Sequence, residues 1–132
     1  MPITVELLKQ NRVIFYTYSD PLDMRELEAT ALKMRHVFDE ATRLIYIVVD
    51  TSGLTLVPIK LLNFAIHGQT NLRHPKLGMV IVVATSQGLR AIGTNVLKLM
   101  AYPKICLAGS VEEAFSIVDR RLAEELVGTE SS

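Results

Sequence analysis

The chain has 132 residues, enough for one domain. With 49% hydrophobic residues it is too apolar for a disordered polypeptide, and at this size it buries roughly two-thirds of its unfolded surface. Fourteen basic side chains balance fourteen acidic ones, and this formal charge of zero argues against a dedicated nucleic-acid binder, which carries a basic footprint.

Ile3 to Lys9 and Val13 to Tyr18 are two strand-like runs, and the turn around Asn11 makes them a hairpin. Asp20-Pro21 reads as a helix start. Asp20 is the cap and Pro21 the first helical residue, with Asp23 and Glu26 near the positive end of the dipole. Leu27, Ala31, Met34 and Phe38 form one apolar stripe of this helix. Leu44 to Val49 is apolar on both alternating faces, as in a central strand covered on both sides, and Asp50-Thr51-Ser52-Gly53 follows as turn chemistry. Pro58 opens a second helix with Ile59, Leu62 and Ile66 inward, which Gly68 and Arg73-His74-Pro75 weaken or end. Met79 to Ala84 is a second central strand, closed by Thr85-Ser86-Gln87-Gly88. A third helix follows with Leu89, Ile92, Val96 and Leu99 inward, stopped at Tyr102-Pro103. Ile105-Cys106-Leu107 is a short strand. Ser110 to Glu113 is a capping box, and Val111, Ala114, Phe115, Val118 and Leu122 are the stripe of the last helix. The order β-β-α-β-α-β-α-β-α implies a mixed, mostly parallel sheet with an antiparallel N-terminal hairpin. Residues 1–127 form a single domain, and 128–132 are expected to fray.

The central strands end alike, in Thr51-Ser52-Gly53 and Thr85-Ser86-Gln87-Gly88, and ligands of open α/β sheets gather beyond the carboxyl ends of strands. Thr51, Ser52 and Ser86 are therefore candidate binding residues, though such hydroxyls equally serve turns and helix starts. No Gly-x-Gly-x-x-Gly or Walker lysine is present, which disfavours the familiar nucleotide sites. Asp50 closes a buried strand, and without an acidic pair or a later lysine a turn role outweighs a phosphoacceptor. His36, His67 and His74 have no metal-ligand spacing and no acid between Thr51 and Val111 to orient them, so they are expected on the surface. Ser52 has no evident base partner, and no catalytic constellation, metal site or cofactor is expected. The single cysteine, Cys106, rules out an intrachain disulfide and reads as a small hydrophobe. The N-terminus has no secretory pattern and no apolar run reaches a membrane span, so a cytoplasmic protein is expected.

The run from Leu44 through Asp50-Thr51-Ser52-Gly53-Leu54-Thr55 to Pro58 resembles the central strand and following loop of STAS domains, the anti-sigma-factor antagonists and the cytoplasmic domains of sulfate transporters. Tyr102-Pro-Lys-Ile-Cys-Leu followed by Ser110-Val-Glu-Glu-Ala-Phe is similar to that family's ending, and the related SpoIIAA-like group fits as well. The resemblance implies the STAS-like fold and a non-catalytic, regulatory docking module whose partner is a protein. In the antagonists this loop carries a phosphorylated serine within Asp-Ser-Ser-Gly. The corresponding stretch here is Pro58-Ile59-Lys60-Leu61, without a hydroxyl, so control by phosphorylation at that position is not expected.

The zero charge hides segregation. Residues 1–50 carry −2, residues 51–111 carry +6 with no acid, and residues 112–132 carry −4. If folding keeps the basic stretch together, it forms one face for an acidic partner. Asp50, Thr51, Ser52, Thr55, Lys60, Ser86 and Arg90 are thus the candidate contact residues. An anionic-ligand or lipid binder, and more remotely an enzyme, remain as alternatives. The open edge of the hairpin suggests a homodimer.

Overall fold

The computed structural model describes residues 3–20, 23–53, 74–84 and 104–131. β1 (Ile3–Leu8) and β2 (Val13–Ser19) pair antiparallel from Ile3↔Tyr18 to Leu8↔Val13. Lys9, Gln10 and Asn11 lie at φ 53°, 57° and 65°, and the Arg12 N–H donates to the Lys9 carbonyl at 3.2 Å. Left-handed central residues match the twist of a tight hairpin. Asparagine adopts them readily, whereas Lys9 and Gln10 cost about 1 kcal/mol each.

α1 (Met24–Asp39) begins later than the sequence suggests. Its cap is Asp23, in extended conformation, whose carboxylate accepts from the Arg25 N–H at 2.9 Å. Asp20 therefore does not cap this helix. Asp23-x-x-Glu26 has the spacing of a capping box, and it outcompetes the Asp20-Pro21 signal because it stands next to the first helical residue. Leu27, Ala31, Val37 and Phe38 are buried, with Met34 half-buried, as the stripe requires.

β3 (Ile45–Gly53) also departs from expectation. Asp50 to Gly53 is the end of the strand, not a turn. Pairing explains this. Thr17 and Ser19 of β2 face Asp50 and Gly53, with a register shift between them, and Asp50 faces Val83 of β4 (Leu77–Val83). Gly53 makes the approach possible, because a Cβ there would stand 2.7 Å from the Tyr18 carbonyl oxygen.

β5 (Ile105–Ala108) completes a five-stranded sheet in the order β1-β2-β3-β4-β5, parallel from β2 onward. The last helix, α2 (Val111–Ser131), opens as predicted, with the Glu113 N–H donating to Ser110 Oγ at 3.1 Å. The Glu113 carboxylate reaches back to the Gly109 N–H at 2.9 Å, one residue before the usual box position. The helix continues to Ser131, through the segment expected to fray; the penalty of Gly128 within it is about 1 kcal/mol. The predicted second and third helices lie outside the described residues.

Two apolar layers flank the central β3. Ile14, Tyr16, Ile45, Ile47 and Val80 pack with Leu27, Val37 and Phe38 of α1. Val13, Tyr46, Val48, Ile81 and Val83 pack with Ala114 and Val118 of α2, where Phe15 stacks on Phe115 at 5.2 Å. Each large side chain buried this way contributes about 1.5–3 kcal/mol. Cys106 is half-buried against the second layer. Among the described residues no helix is long and apolar enough to cross a membrane.

Candidate functional site

The carboxyl ends of the parallel strands bring Asp50, Thr51 and Ser52 together. The three do different work. Thr51 is buried at 4% exposure, and its hydroxyl donates to the Val83 carbonyl at 2.6 Å, so it ties β3 to β4. Asp50 and Ser52 point to the opposite face of the sheet by strand alternation. Asp50 Oδ1 accepts from both the Ser52 N–H at 3.0 Å and the Ser52 hydroxyl at 2.7 Å. The result is a polar shelf, with Ser52 exposed and Asp50 half-buried. Thr17 lies beside Asp50 and Ser19 beside Gly53 on the neighbouring strand. The carboxylate takes up the donors that an anion would need, so this strand end is better suited to hydrogen-bonding a partner than to holding a phosphate. Thr55, Lys60, Ser86 and Arg90 lie outside the described residues.

The amino end of the sheet is built differently. His74 is buried at 8% exposure, contrary to the expectation of surface histidines. Its Nδ1 accepts from the Lys76 N–H at 3.1 Å, so Nε2 carries the ring proton and donates to Asp39 at 3.0 Å. The acid that orients this imidazole is Asp39 at the end of α1, distant in sequence from the acid-free stretch between Thr51 and Val111. The hydrogen bond from His74, with Arg35 alongside, holds the Asp39 carboxyl below the usual range. The pair resembles a catalytic dyad only in outline, because the Nδ1 lone pair is occupied by the Lys76 backbone N–H. Its role is to fasten α1 to the start of β4, with the ring against Phe38 at 5.4 Å. His36 is exposed, as predicted.

A second tie joins α2 to the hairpin. Arg12 donates to the Leu44 carbonyl at 2.8 Å and pairs with Glu125, which also accepts from the Tyr46 hydroxyl at 3.1 Å. Burial, reinforced by the nearby Glu125 charge, pushes the Tyr46 hydroxyl up to about 12. Gly78 leaves room for that ring; a Cβ there would meet it at 2.8 Å. Between the hairpin turn and the end of α1 opens a cleft of about 240 Å³, rimmed by Arg12, His36, Glu40 and Arg43. Opposite charges share its rim, and it lies at the far end of the strands from the Asp50–Ser52 shelf. Tyr16 and Tyr18 are buried on the α1 side, and burial raises both hydroxyls. The Tyr16 hydroxyl has no hydrogen-bond partner among the described residues. Among the described residues no group of three or more His, Cys, Asp or Glu is placed to hold a metal ion.

No protein-family model matches the chain, and no curated protein matches it. A solved structure does: the crystal structure of an anti-sigma factor antagonist from Mycobacterium paratuberculosis, at 19% identity and a TM-score of 0.61 over 89% of this chain and 94% of that one. The likeness shows the fold. The chain has the STAS-like architecture that its central strand and C-terminal segment resemble.

Proposed function

We propose that the chain is a non-catalytic docking module that regulates a protein partner, in the manner named by its structural neighbour, an anti-sigma factor antagonist. The observation that carries this reading is the fold likeness, which extends over nearly the whole of both chains. The contact surface starts at the Asp50–Ser52 shelf. It continues through Thr55, Lys60, Ser86 and Arg90, with Thr51 buried beneath it as a tie to β4 and the basic side chains meeting an acidic face. Pro58-Ile59-Lys60-Leu61 offers no hydroxyl, so the docking is not switched by phosphorylation at that place. The protein works in the cytoplasm without a cofactor.

Affinity purification from the native cell, followed by binding measurements with the purified partner, tests this. Binding is expected to weaken with salt and on charge reversal at Lys60 and Arg90. Equal affinity of the reversed variant at low salt removes the charged face from the reading. Turnover of a metabolite by the pure protein, with no partner recovered, overturns the reading itself.

A further inference from the structure

β1 lies at one end of the strand order, and among the described residues no strand pairs with its outer edge. Such an edge presents free backbone donors and acceptors, and monomeric proteins blunt it with proline, bulges or inward charge. β1 has none of these. Its register to β2 is unbroken from Ile3 to Leu8, and its single charged residue is Glu6, which is exposed on the face away from α1.

Ile3, Val5 and Leu7 stand opposite Tyr18, Tyr16 and Ile14, on the face that α1 covers. Thr4 and Glu6 stand on the other face and are exposed. The apolar row opens to solvent along its length, from Ile3 at 6% exposure to Leu7 at 41%. A second exposed leucine, Leu32 at 68%, sits on α1, the helix over the same face.

Residues 3–7 alternate apolar and polar in a pattern that reads the same in both directions about Val5. An antiparallel copy presents that same pattern reversed. We propose that two copies of the chain join edge to edge through β1. Val5 faces Val5 at the two-fold axis, Ile3 faces Leu7, and Thr4 faces Glu6. This register extends the apolar row of one copy into that of the other and covers Leu7. Centring the pair one residue later sets Glu6 against Glu6, which like-charge repulsion disfavours. Centring it one residue earlier leaves Leu7 outside the span of the opposing β1, which begins at Ile3. A shift that opposes odd to even positions turns the α1 faces to opposite sides and sets Leu7 against Thr4. The zero net charge of the chain leaves no overall repulsion between copies. Self-complementarity about one residue is what makes a second copy, rather than an unrelated strand, the occupant of this edge.

Sedimentation equilibrium of the full chain tests the pairing with two substitutions at exposed Thr4. Thr4→Lys places a cation opposite Glu6 of the other copy and tightens the dimer. Thr4→Glu places like charges there and loosens it. With two symmetric contacts per dimer, the dissociation constants of the two variants should differ by about tenfold, and the double variant Thr4→Glu, Glu6→Lys should recover. Because Thr4 is exposed, both single variants should keep the circular dichroism spectrum of the parent. Val5→Cys in a Cys106→Ser background should oxidise to a linked dimer, since facing residues of an antiparallel pair lie within disulfide reach. A monomer at every concentration overturns the proposal. So does a dimer that is indifferent to the Thr4 charge or refuses the Val5→Cys link.

Discussion

The two ends of the sheet are held by different kinds of bond. At the amino end, side chains far apart in sequence meet: Arg12 with Glu125, Tyr46 with Glu125, His74 with Asp39. At the carboxyl end, Asp50, Thr51 and Ser52 bond at short range or to backbone among the described residues: Asp50 with Ser52 two residues on, and Thr51 with the Val83 carbonyl. Long-range ties fix α1 and α2 to the strands, and they consume the polar groups that make them. The carboxyl end is positioned by strand register, which leaves Ser52 and part of Asp50 facing solvent. An end built this way can exchange contacts with a partner without loosening the fold. The open cleft of about 240 Å³ lies at the amino end, among the residues of the long-range ties and away from the Asp50–Ser52 shelf.

The sharpest way to break this contrast is at Gly53. Gly53→Val puts a side chain against the Tyr18 carbonyl, which is backbone and cannot rotate away. A loss of about 2–3 kcal/mol is expected in urea unfolding. A smaller loss would mean that the carboxyl end is not set by close strand approach. Next comes Arg12→Ala, which leaves the half-buried Glu125 without its cation and should cost roughly 2 kcal/mol. In a double-mutant cycle with Glu125→Gln, a coupling near zero would reduce the pair to a surface contact. Thr51→Val keeps the shape but removes the bond to Val83, for a loss of about 1 kcal/mol.

A smaller effect belongs to Asp39. Its folded-state pKa is lowered, first by the hydrogen bond from His74 and then by Arg35. The stabilisation is therefore complete above the unfolded value of about 4 and is lost as pH falls through the lower folded value. Urea midpoints measured from pH 6 down to pH 2.5 should show this component, and Asp39→Asn should remove it. An identical acid profile in the variant would show that the amino-end tie does not depend on the carboxylate charge.

The sequence shows the strands, the hairpin and the Ser110–Glu113 start of α2 because each is a local pattern. Leu44 to Val49 is apolar on both faces, and that places β3 centrally before any pairing is known. What it hides has two physical causes. Arg12 and Glu125 are 113 residues apart, and His74 and Asp39 are 35 apart, and no periodicity carries a meeting of that kind. Where two local signals compete, the stronger-looking one can lose, as Asp20-Pro21 does to Asp23, and as the turn chemistry of Asp50 to Gly53 does to pairing on both sides of β3. For the candidate site, the strand end was legible, but the division of labour within it was not. Thr51 and Ser52 are neighbours of similar chemistry, and only alternation about the sheet makes one structural and the other available.

That division leads to the smallest expected change in stability and the clearest separation of the two ends. Ser52 is exposed, and among the described residues its hydroxyl bonds only locally to Asp50. Ser52→Ala should leave the unfolding free energy within about 0.5 kcal/mol of the parent. The same substitution removes a donor from the proposed contact surface and alters how Asp50 presents its carboxylate. Partner affinity should then fall by about fivefold, the size of one lost hydrogen bond of about 1 kcal/mol. Arg12→Ala gives the reverse pattern at the amino end: stability falls, and affinity per folded molecule is unchanged. Isothermal titration for affinity and urea unfolding for stability, on both variants at one salt concentration, measure the two quantities. If Ser52→Ala lowers stability as much as Arg12→Ala, the carboxyl end is as structural as the amino end. If it leaves affinity untouched, the shelf is not where the partner docks.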